Sequence, residues 1–534
     1  MDAGVKAPDT RGTTDVEIDT EHTPLLPGSL PESSTGQTEE VTSDRDNDPG
    51  NVLRAQLRPT VILLAFIILF LIELAIGMVA APTNAIMESI ICRQMHPDEL
   101  LLPSHSGTVV GGIIRHFAGG VFLVDNPICK SPDVQGKLAM IRAWGYTFDC
   151  LPGILLSVPY GMVSDKWGRK PVIYLSLLGV ILGQIFTDLV YYFSDFVPLW
   201  TVWFSSAFQI IGGGSTILTA MLYTVLADVV PVSERATVFL QLTACFLTSQ
   251  MIAGPLGGLM MIGDPWYPLM GSLACFAVAY LVLWAFPETL HVHDHKADSH
   301  EESSLPDVSK LWDKVHVGLG DVSCFILGNK SFVFLMMSVA FIMLGRFVGE
   351  VLLQYATERY GWSWSDASFI LAIRSVVSLV TLLVLTPLAS WFCLHRLGMT
   401  GMGKDLWLAR WSVMIAIVGC LIIASAANGS LFCIGLVWFA LGSGLTPLIR
   451  SLLNSLVEEQ HIGIMNTLVG LMETAGLTMA GPLLAKSLSV GLELGGPWVG
   501  LPFVTAGSFF TISCTILWIF RLPSPRNSSA EPVC

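Results

Sequence analysis

The sequence predicts an all-α integral membrane protein with twelve transmembrane helices in two six-helix bundles. Of its 534 residues, 52% are hydrophobic and 13% are charged, whereas about 25% of the residues of a soluble domain are charged. Apolar runs of about twenty residues recur along the chain, the length that an α-helix needs to cross a hydrocarbon core about 30 Å thick. A polar segment near the midpoint divides these runs into six and six. We expect the spans at residues 59–81, 141–164, 170–192, 198–227, 236–262, 267–287, 331–356, 366–392, 408–427, 430–450, 464–486 and 498–520.

The acidic N-terminal segment, residues 1–57, is predicted to be disordered and cytoplasmic. Its first fifty residues contain twelve Asp and Glu against three Lys and Arg, and no Phe, Trp or Tyr. Such a composition buries too little apolar surface to fold. Within it, Glu21, Leu25 and Leu26 match the acidic dileucine pattern that sorting adaptors read. The alternative is a chance match in a low-complexity segment.

The distribution of positive charge predicts that both termini are cytoplasmic. Lys and Arg flank the first span and fill the connection between the second and third spans, while the opposite short connections near Asp195, Asp264 and Asn428 contain neither. Short loops rich in Lys and Arg stay on the cytoplasmic side. We therefore expect a first bundle at 58–287 with a long external loop at 92–140, a cytoplasmic linker at 288–330, a second bundle at 331–521 and a cytoplasmic tail at 522–534. The histidines of the linker are interpreted as solvated side chains, and no metal site is expected.

Cys92 and Cys129 are candidates for a disulfide bond because both lie in the predicted external loop. An oxidising compartment would permit the bond. Most of the other cysteines lie in apolar segments, where they act as small hydrophobic residues. The sequence leaves both the paired and the free state open.

The short cationic turn at 159–171 is the most informative motif of the chain. It lies between two predicted spans, which it forces to be antiparallel neighbours, and its glycines allow the tight turn. Asp165 and Arg169 can pair with helix ends or with charges on neighbouring helices. The turn resembles the G-x-x-x-D-[RK]-x-G-R-[RK] motif between the second and third helices of the major facilitator superfamily, and a degraded copy follows at 395–398. With two residues that the resemblance implies dock against it, the turn forms a set that we call the latch: Gly161, Asp165, Gly168, Arg169, Lys170, Asp228 and Arg235.

A glycine-proline element in the fifth span also resembles this superfamily. Residues 254–258 read Gly-Pro-Leu-Gly-Gly, which is similar to the G-P-x-x-G-G element of drug:proton antiporters with one residue fewer. Gln250 and Gln209 stand where the antiporters have a glycine and an arginine, so proton coupling of the antiporter kind is in doubt. The alternative interpretation is that the glycines serve close helix packing. In the stretches 81–88 and 353–364 the chain resembles fungal members related to proton-coupled folate transporters, which often accompany natural-product pathways.

Four ionisable residues inside the predicted spans are the first candidates for a transport site. Such residues cost several kcal/mol in the membrane unless they are paired or hydrated, so each is a functional candidate. Glu73 and Asp149 lie in the first bundle, and Arg346 and Arg374 lie at matching depths in the second. In one interpretation the arginines hold an anionic or zwitterionic substrate while an acid exchanges a proton. In the other, these residues form salt bridges between the bundles.

Two further acids complete the candidate set. Glu350 follows Arg346 by four residues, so the two share a helix face and could neutralise each other. Glu473, in the eleventh span, is a further candidate for a proton carrier.

The predicted function is secondary active transport by alternating access. No ATP-binding motif is recognised, so an ion gradient, with protons as the first choice, would drive export of a small organic metabolite. The alternatives are proton-coupled import of an organic anion or vitamin-like nutrient and, from another class, a non-transporting membrane receptor. We expect no enzyme activity, no cofactor and no nucleic-acid partner. A monomer in the plasma membrane is expected, with the vacuolar membrane as the alternative.

Overall fold

The structure, a computed structural model, describes residues 49–97, 113–117, 120–124, 127–288, 330–456 and 462–522. The dileucine candidate at Glu21, Leu25 and Leu26 lies outside these residues, as do nearly all of the predicted linker and tail. Within the described part, the helices follow one another as six segments in each half of the chain.

In the first half, two of the six segments are broken into two pieces. The described part of the first helix starts at Pro49, nine residues before the predicted start of the first bundle at residue 58. The helices are α1a (Pro49–Met78), α1b (Ala80–Met95), α2 (Pro132–Trp167), α3 (Arg169–Tyr192), α4a (Ser205–Phe208), α4b (Gly214–Val229), α5 (Val232–Gly263) and α6 (Trp266–Trp284).

The second half repeats this order, again with broken segments. Its eighth segment contains one π-helical stretch at Thr381–Leu385. The helices are α7a (Lys330–Arg346), α7b (Val348–Tyr360), α8a (Trp364–Val380), α8b (Thr386–His395), α9 (Gly401–Ser425), α10a (Gly429–Leu441), α10b (Leu445–Ser455), α11 (Ile462–Leu494) and α12 (Leu501–Ile519).

The predicted external loop at 92–140 is shorter than expected and is not entirely irregular. Helix α1b continues to Met95, and α2 already begins at Pro132. Between them, the antiparallel strands β1 (Ile113–Phe117) and β2 (Gly120–Val124) form a hairpin. Helices still account for every membrane-crossing segment, so the fold class is all-α.

Ten helices within the described residues are long and apolar enough to cross a membrane. The two remaining segments explain the difference from the predicted twelve. Helix α2 is 36 residues long but contains the polar residues Arg142 and Asp149, and α4b is an apolar helix of only 16 residues. Both lie between helices that do qualify, so the count of twelve segments is retained.

The two halves pack against each other near one end of the bundle. Cys92 and Cys129 form a disulfide bond there, and we call this the disulfide end; the latch residues mark the other, the latch end. Thr147 of α2 donates a hydrogen bond to the carbonyl oxygen of Thr478 of α11 (3.0 Å). Ser365 of α8a donates to the carbonyl oxygen of Gly258 of α5 (2.8 Å). Ser365 and Gly258 lie near the disulfide end of their helices, whereas Thr147 and Thr478 lie near the middle of theirs.

Candidate functional site

Helix breaks occur in the first and fourth segments of both halves. The first segment breaks at Val79 and the seventh at Phe347, while the fourth and tenth break around Gly212–Gly214 and Gly442–Gly444. In transporters built from repeats, interrupted helices at matching positions of the two halves point to the binding site. The candidate site is therefore expected beside these breaks, and the predicted residues Glu73 and Arg346 both lie close to one of them in sequence.

Glu73 is buried at the contact between α1a and α5. Its carboxylate accepts a hydrogen bond from Gln250 Nε2 (3.1 Å), and 9% of the residue is exposed. Gln250 is the residue that stands where antiporters have a glycine. A neutral amide stabilises either the charged or the protonated carboxyl group, so Glu73 has a partner without being neutralised by it.

Asp149 of α2 faces the irregular start of the fourth segment. Its Oδ1 accepts hydrogen bonds from Ser206 Oγ (2.6 Å) and Gln209 Nε2 (2.8 Å). Gln209 is the residue that replaces the antiporter arginine, so the acid again has neutral donors. Within the described residues, neither Glu73 nor Asp149 forms an ion pair.

The structure brings Arg346, Arg374 and Glu473 into one region of the second half. Arg346 donates a hydrogen bond to Thr446 Oγ1 of α10b (2.8 Å), and both Arg374 and Glu473 are close enough to interact with it electrostatically. Glu473 forms a salt bridge with Arg450 (2.8 Å). The region thus contains three guanidinium groups and one carboxylate that is already engaged.

The alternative of an i,i+4 pair between Arg346 and Glu350 is not realised. The helix breaks at Phe347, so the two residues no longer share a continuous helix face. Glu350 instead accepts a hydrogen bond from the hydroxyl group of Tyr146 in the first half (2.7 Å). Glu350 therefore contributes to the contact between the halves.

Arg142 and Tyr146 are site residues that the sequence analysis missed. Arg142 donates hydrogen bonds to Asn84 Oδ1 and to the Tyr146 hydroxyl (2.8 Å). A chain of polar contacts therefore runs from Asn84 through Arg142 and Tyr146 to Glu350, across the two halves. The predicted second span began at residue 141, next to Arg142, whereas α2 begins nine residues earlier, which places Arg142 well inside the helix.

At the latch end, Arg169 is the central residue. Its guanidinium group contacts Asp165 and lies 3.3 Å from Asp228 Oδ2, and it also donates to Ser164 Oγ (2.7 Å). The backbone N–H groups of Arg169 and Lys170 donate to the carboxylate of Glu288 (3.0 and 3.1 Å). Glu288 thus stabilises the start of α3, where a negative charge is favoured.

The structure gives the surroundings of three further latch residues: Gly168, Gly161 and Arg235. Gly168 has φ of +105° and would bring a side chain onto Glu288, so a glycine is required there. Gly161 has open space where a side chain would lie, so close approach does not explain it. Arg235 donates to the carbonyl oxygen of Val230 (3.1 Å), and its docking against the turn stays a prediction.

The glycine-proline element packs against two different helices. A Cβ atom at Gly254 would lie 2.8 Å from the carbonyl oxygen of Ser368 in α8a, and one at Gly258 would lie 2.9 Å from that of Ser365. One at Gly257 would collide with the carbonyl oxygen of Met78 at the end of α1a. These glycines therefore allow α5 to approach both the break in the first segment and the second half.

Comparison with known proteins identifies a family model, described as the Major Facilitator Superfamily, that matches residues 110–477. The MFS efflux pump atnC of Emericella nidulans is 29% identical over 473 residues, covering 88% of this chain and 89% of that protein. The efflux pump ustT of Aspergillus flavus is 30% identical over 453 residues, covering 83% of this chain and 84% of that protein.

Solved structures resemble the chain in fold. The nucleoside transporter NupG superposes with a TM-score of 0.56 at 14% identity, covering 86% of this chain and 100% of that one. The human organic anion transporter MFSD10 superposes with a TM-score of 0.52 at 14% identity, covering 86% and 99%. At this identity the likeness extends to the fold alone.

Proposed function

The chain belongs to the Major Facilitator Superfamily, and from this membership we propose that it exports a small organic metabolite of anionic or zwitterionic character in exchange for protons. It is a multi-pass membrane transporter and not an enzyme. The observation that carries the proposed direction is that the relatives named as efflux pumps align over more than four-fifths of both chains.

The two carboxylates with neutral partners support the coupling to protons. Glu73 and Asp149 accept hydrogen bonds from amide and hydroxyl donors, so a proton can occupy either group without displacing a resident cation. An ionisable group held inside the membrane in this way is a functional candidate. Glu73 lies beside the break in the first segment, where the repeat architecture places ligand sites.

The guanidinium groups of the second half support an anionic or zwitterionic substrate. Arg346 and Arg374 form no ion pair within the described residues, and the nearby Glu473 is engaged by Arg450. A carboxylate or phosphate on the substrate would match a planar guanidinium group by two parallel hydrogen bonds. We assign substrate binding to these two arginines.

The packing of the halves supports an assignment of the conformational state. If the disulfide end faces the exterior, as the charge distribution predicts, the halves are closed outside and the site is reached from the cytoplasm. We propose the plasma membrane as the location and a monomer as the working unit.

The test is untargeted metabolite profiling of cells and medium, with and without the gene. Export predicts that one or a few compounds accumulate inside the deletion strain and that the intact gene restores their release. Depletion inside the strain would instead support import, and no change in either compartment would support a receptor.

Single-residue variants test which side chains take part in transport. We expect Glu73→Gln and Arg346→Gln each to abolish transport while protein abundance and membrane targeting stay unchanged. Glu493→Gln and Arg396→Gln are matched controls, because both side chains are exposed away from the proposed site. Normal transport in Glu73→Gln and Arg346→Gln would contradict the site assignment.

A further inference from the structure

A buried polar cluster at the disulfide end links the two halves of the chain. Lys130 Nζ lies 2.9 Å from Glu88 Oε1 and 4.8 Å from the centre of the Trp364 ring. The indole N–H of Trp364 donates to Glu88 Oε2. Glu88 is 6% exposed and Trp364 is 3% exposed. One ion pair of the first half is therefore covered by, and hydrogen-bonded to, an aromatic side chain of the second half.

The Cys92–Cys129 disulfide bond positions the cation of this cluster. Glu88 precedes Cys92 by four residues in α1b, so the two lie on one helix face, one turn apart. Lys130 directly follows Cys129, and the disulfide bond holds Cys129 against α1b. The ammonium group is thereby placed beside the Glu88 carboxylate.

Two glutamines extend the cluster across the contact. Gln135 Nε2 donates to Glu88 Oε1 (2.7 Å) and to the carbonyl oxygen of Cys129 (3.1 Å). Gln354 of α7b donates to the backbone oxygen (2.7 Å) and to the side-chain oxygen (2.8 Å) of Gln135. Separation of the halves at this end would break the bonds from Trp364 and Gln354 and leave charged and polar groups without these donors, which is costly for buried groups.

We propose that Glu88, Lys130 and Trp364 form a lock that holds the halves together at the disulfide end during the transport cycle, with the disulfide bond as its support. The inference rests on the proposed transport function, because only alternating access requires this contact to open. These residues position the halves and do not contact the substrate.

The lock lies nearer the disulfide end than the chain of polar contacts that runs from Asn84 to Glu350. Glu350, Gln354 and Glu358 follow one another at four-residue intervals in α7b, so they share one face of that helix. Glu350 meets Tyr146 and Gln354 meets Gln135, both on α2. Lys130 interacts electrostatically with Glu358 as well as with Glu88. Loss of its charge would leave two carboxylates of opposite halves close together without their cation.

The experiment measures opening directly, without a substrate. Thr147 is 8% exposed and bonds across the halves to Thr478, so Thr147→Cys is a buried reporter that becomes accessible when this end opens. The full-length reporter protein is placed in lipid nanodiscs and treated with a maleimide. Mass spectrometry with fragmentation of the labelled peptide follows the labelling rate at residue 147 and separates it from the neighbouring Cys150 and the other native cysteines.

We expect Trp364→Phe to raise the labelling rate at residue 147 by roughly tenfold or more, the factor that corresponds to loss of one hydrogen bond to a charged group. Lys130→Gln should raise it further, because it removes the positive charge that Lys130 places beside Glu88 and Glu358. Lys137→Gln is the matched control, since Lys137 is an exposed lysine in the first turns of α2, and it should leave the rate unchanged.

The role of the disulfide bond has its own test. Replacement of both Cys92 and Cys129 by Ala should raise the labelling rate, and Lys130→Gln added to that variant should raise it little more, because both changes act through the same ammonium group. If Lys130→Gln fails to fold, Trp364→Phe, which keeps an aromatic ring, and Glu88→Gln, which keeps the size of the side chain, decide the question.

Unchanged labelling in Trp364→Phe and Glu88→Gln would overturn the lock, as would an equal rise in Lys137→Gln. Because the measurement needs no substrate, it remains decisive even if metabolite profiling fails to show export. An altered labelling rate without transport would retain the lock and reject the proposed function.

Discussion

Replacement of Gly254 by alanine tests whether the glycine-proline element sets the distance between the halves. The new methyl group would lie 2.8 Å from the Ser368 carbonyl oxygen and 3.1 Å from Leu371 Cβ. Ordinary van der Waals contact begins at 3.4 Å, so α5 and α8a must separate by about 0.6 Å where they meet. Overpacking of this kind costs about 1–3 kcal/mol, and the cost falls on the state in which the disulfide end is closed.

The expected result is a shift of the equilibrium toward opening of the disulfide end by roughly 5- to 150-fold, which is the same free energy expressed as a population ratio. The gain in helix propensity from glycine to alanine, about 0.5–1 kcal/mol, applies to both states and does not change that ratio. The labelling rate of Thr147→Cys reports the shift.

Gly470→Ala is the matched control for this prediction. It makes the same substitution in α11, at a position where no heavy atom lies within 4 Å of the new methyl group. Its labelling rate should equal that of the parent protein. Equal rates in Gly254→Ala and Gly470→Ala would refute the reasoning, because the steric cost would then be absent.

Two further predictions concern the latch and the second carboxylate. Glu288→Ala removes the acceptor of two backbone N–H groups at the start of α3. It should lower the free energy of unfolding by about 2 kcal/mol, measured as a lower midpoint of thermal unfolding. The exposed Glu493→Ala is the control, and an unshifted midpoint in Glu288→Ala would contradict the capping role. Asp149→Asn should reduce export by at least roughly tenfold at unchanged protein abundance, because the asparagine side chain cannot exchange a proton. The exposed Asp366→Asn is the control and should keep full activity. Full activity in Asp149→Asn would remove this residue from the coupling mechanism.

The order of the helices and the latch turn could be predicted from the sequence because both are local properties. Apolar runs fix the positions of helices to within a few residues, and the turn at 159–171 carries its own glycines and charges. The possibility that Arg346 and Glu350 neutralise each other is not realised, because the helix breaks at Phe347 between them. Gly345 and Gly349 flank that break, but glycine is frequent in transmembrane helices, so it does not by itself mark a break. The break near Gly212–Gly214, where all three glycines have positive φ, could have been predicted from the run of three glycines.

The contacts across the halves could not be predicted in the same way. Glu88, Lys130 and Trp364 are separated by up to 276 residues, and no periodicity links such distant positions. Arg142 was missed because the start of α2 is polar, so hydropathy located that start nine residues too late. Gln250 and Gln209 were noted as departures from the antiporter pattern, and only the structure shows that they are the partners of Glu73 and Asp149.

Helix α5 is in close contact with helices on two sides, so that movement of one neighbour is transmitted to the other. One of its glycines abuts the end of α1a at Met78, and two others, a turn apart, abut α8a in the opposite half. A displacement of α8a therefore cannot be absorbed by empty space around α5 and is passed to the joint at Val79. That joint lies six residues from Glu73, whose hydrogen-bond partner is also carried by α5. The proposed proton site and the contact between the halves thus both depend on the position of α5.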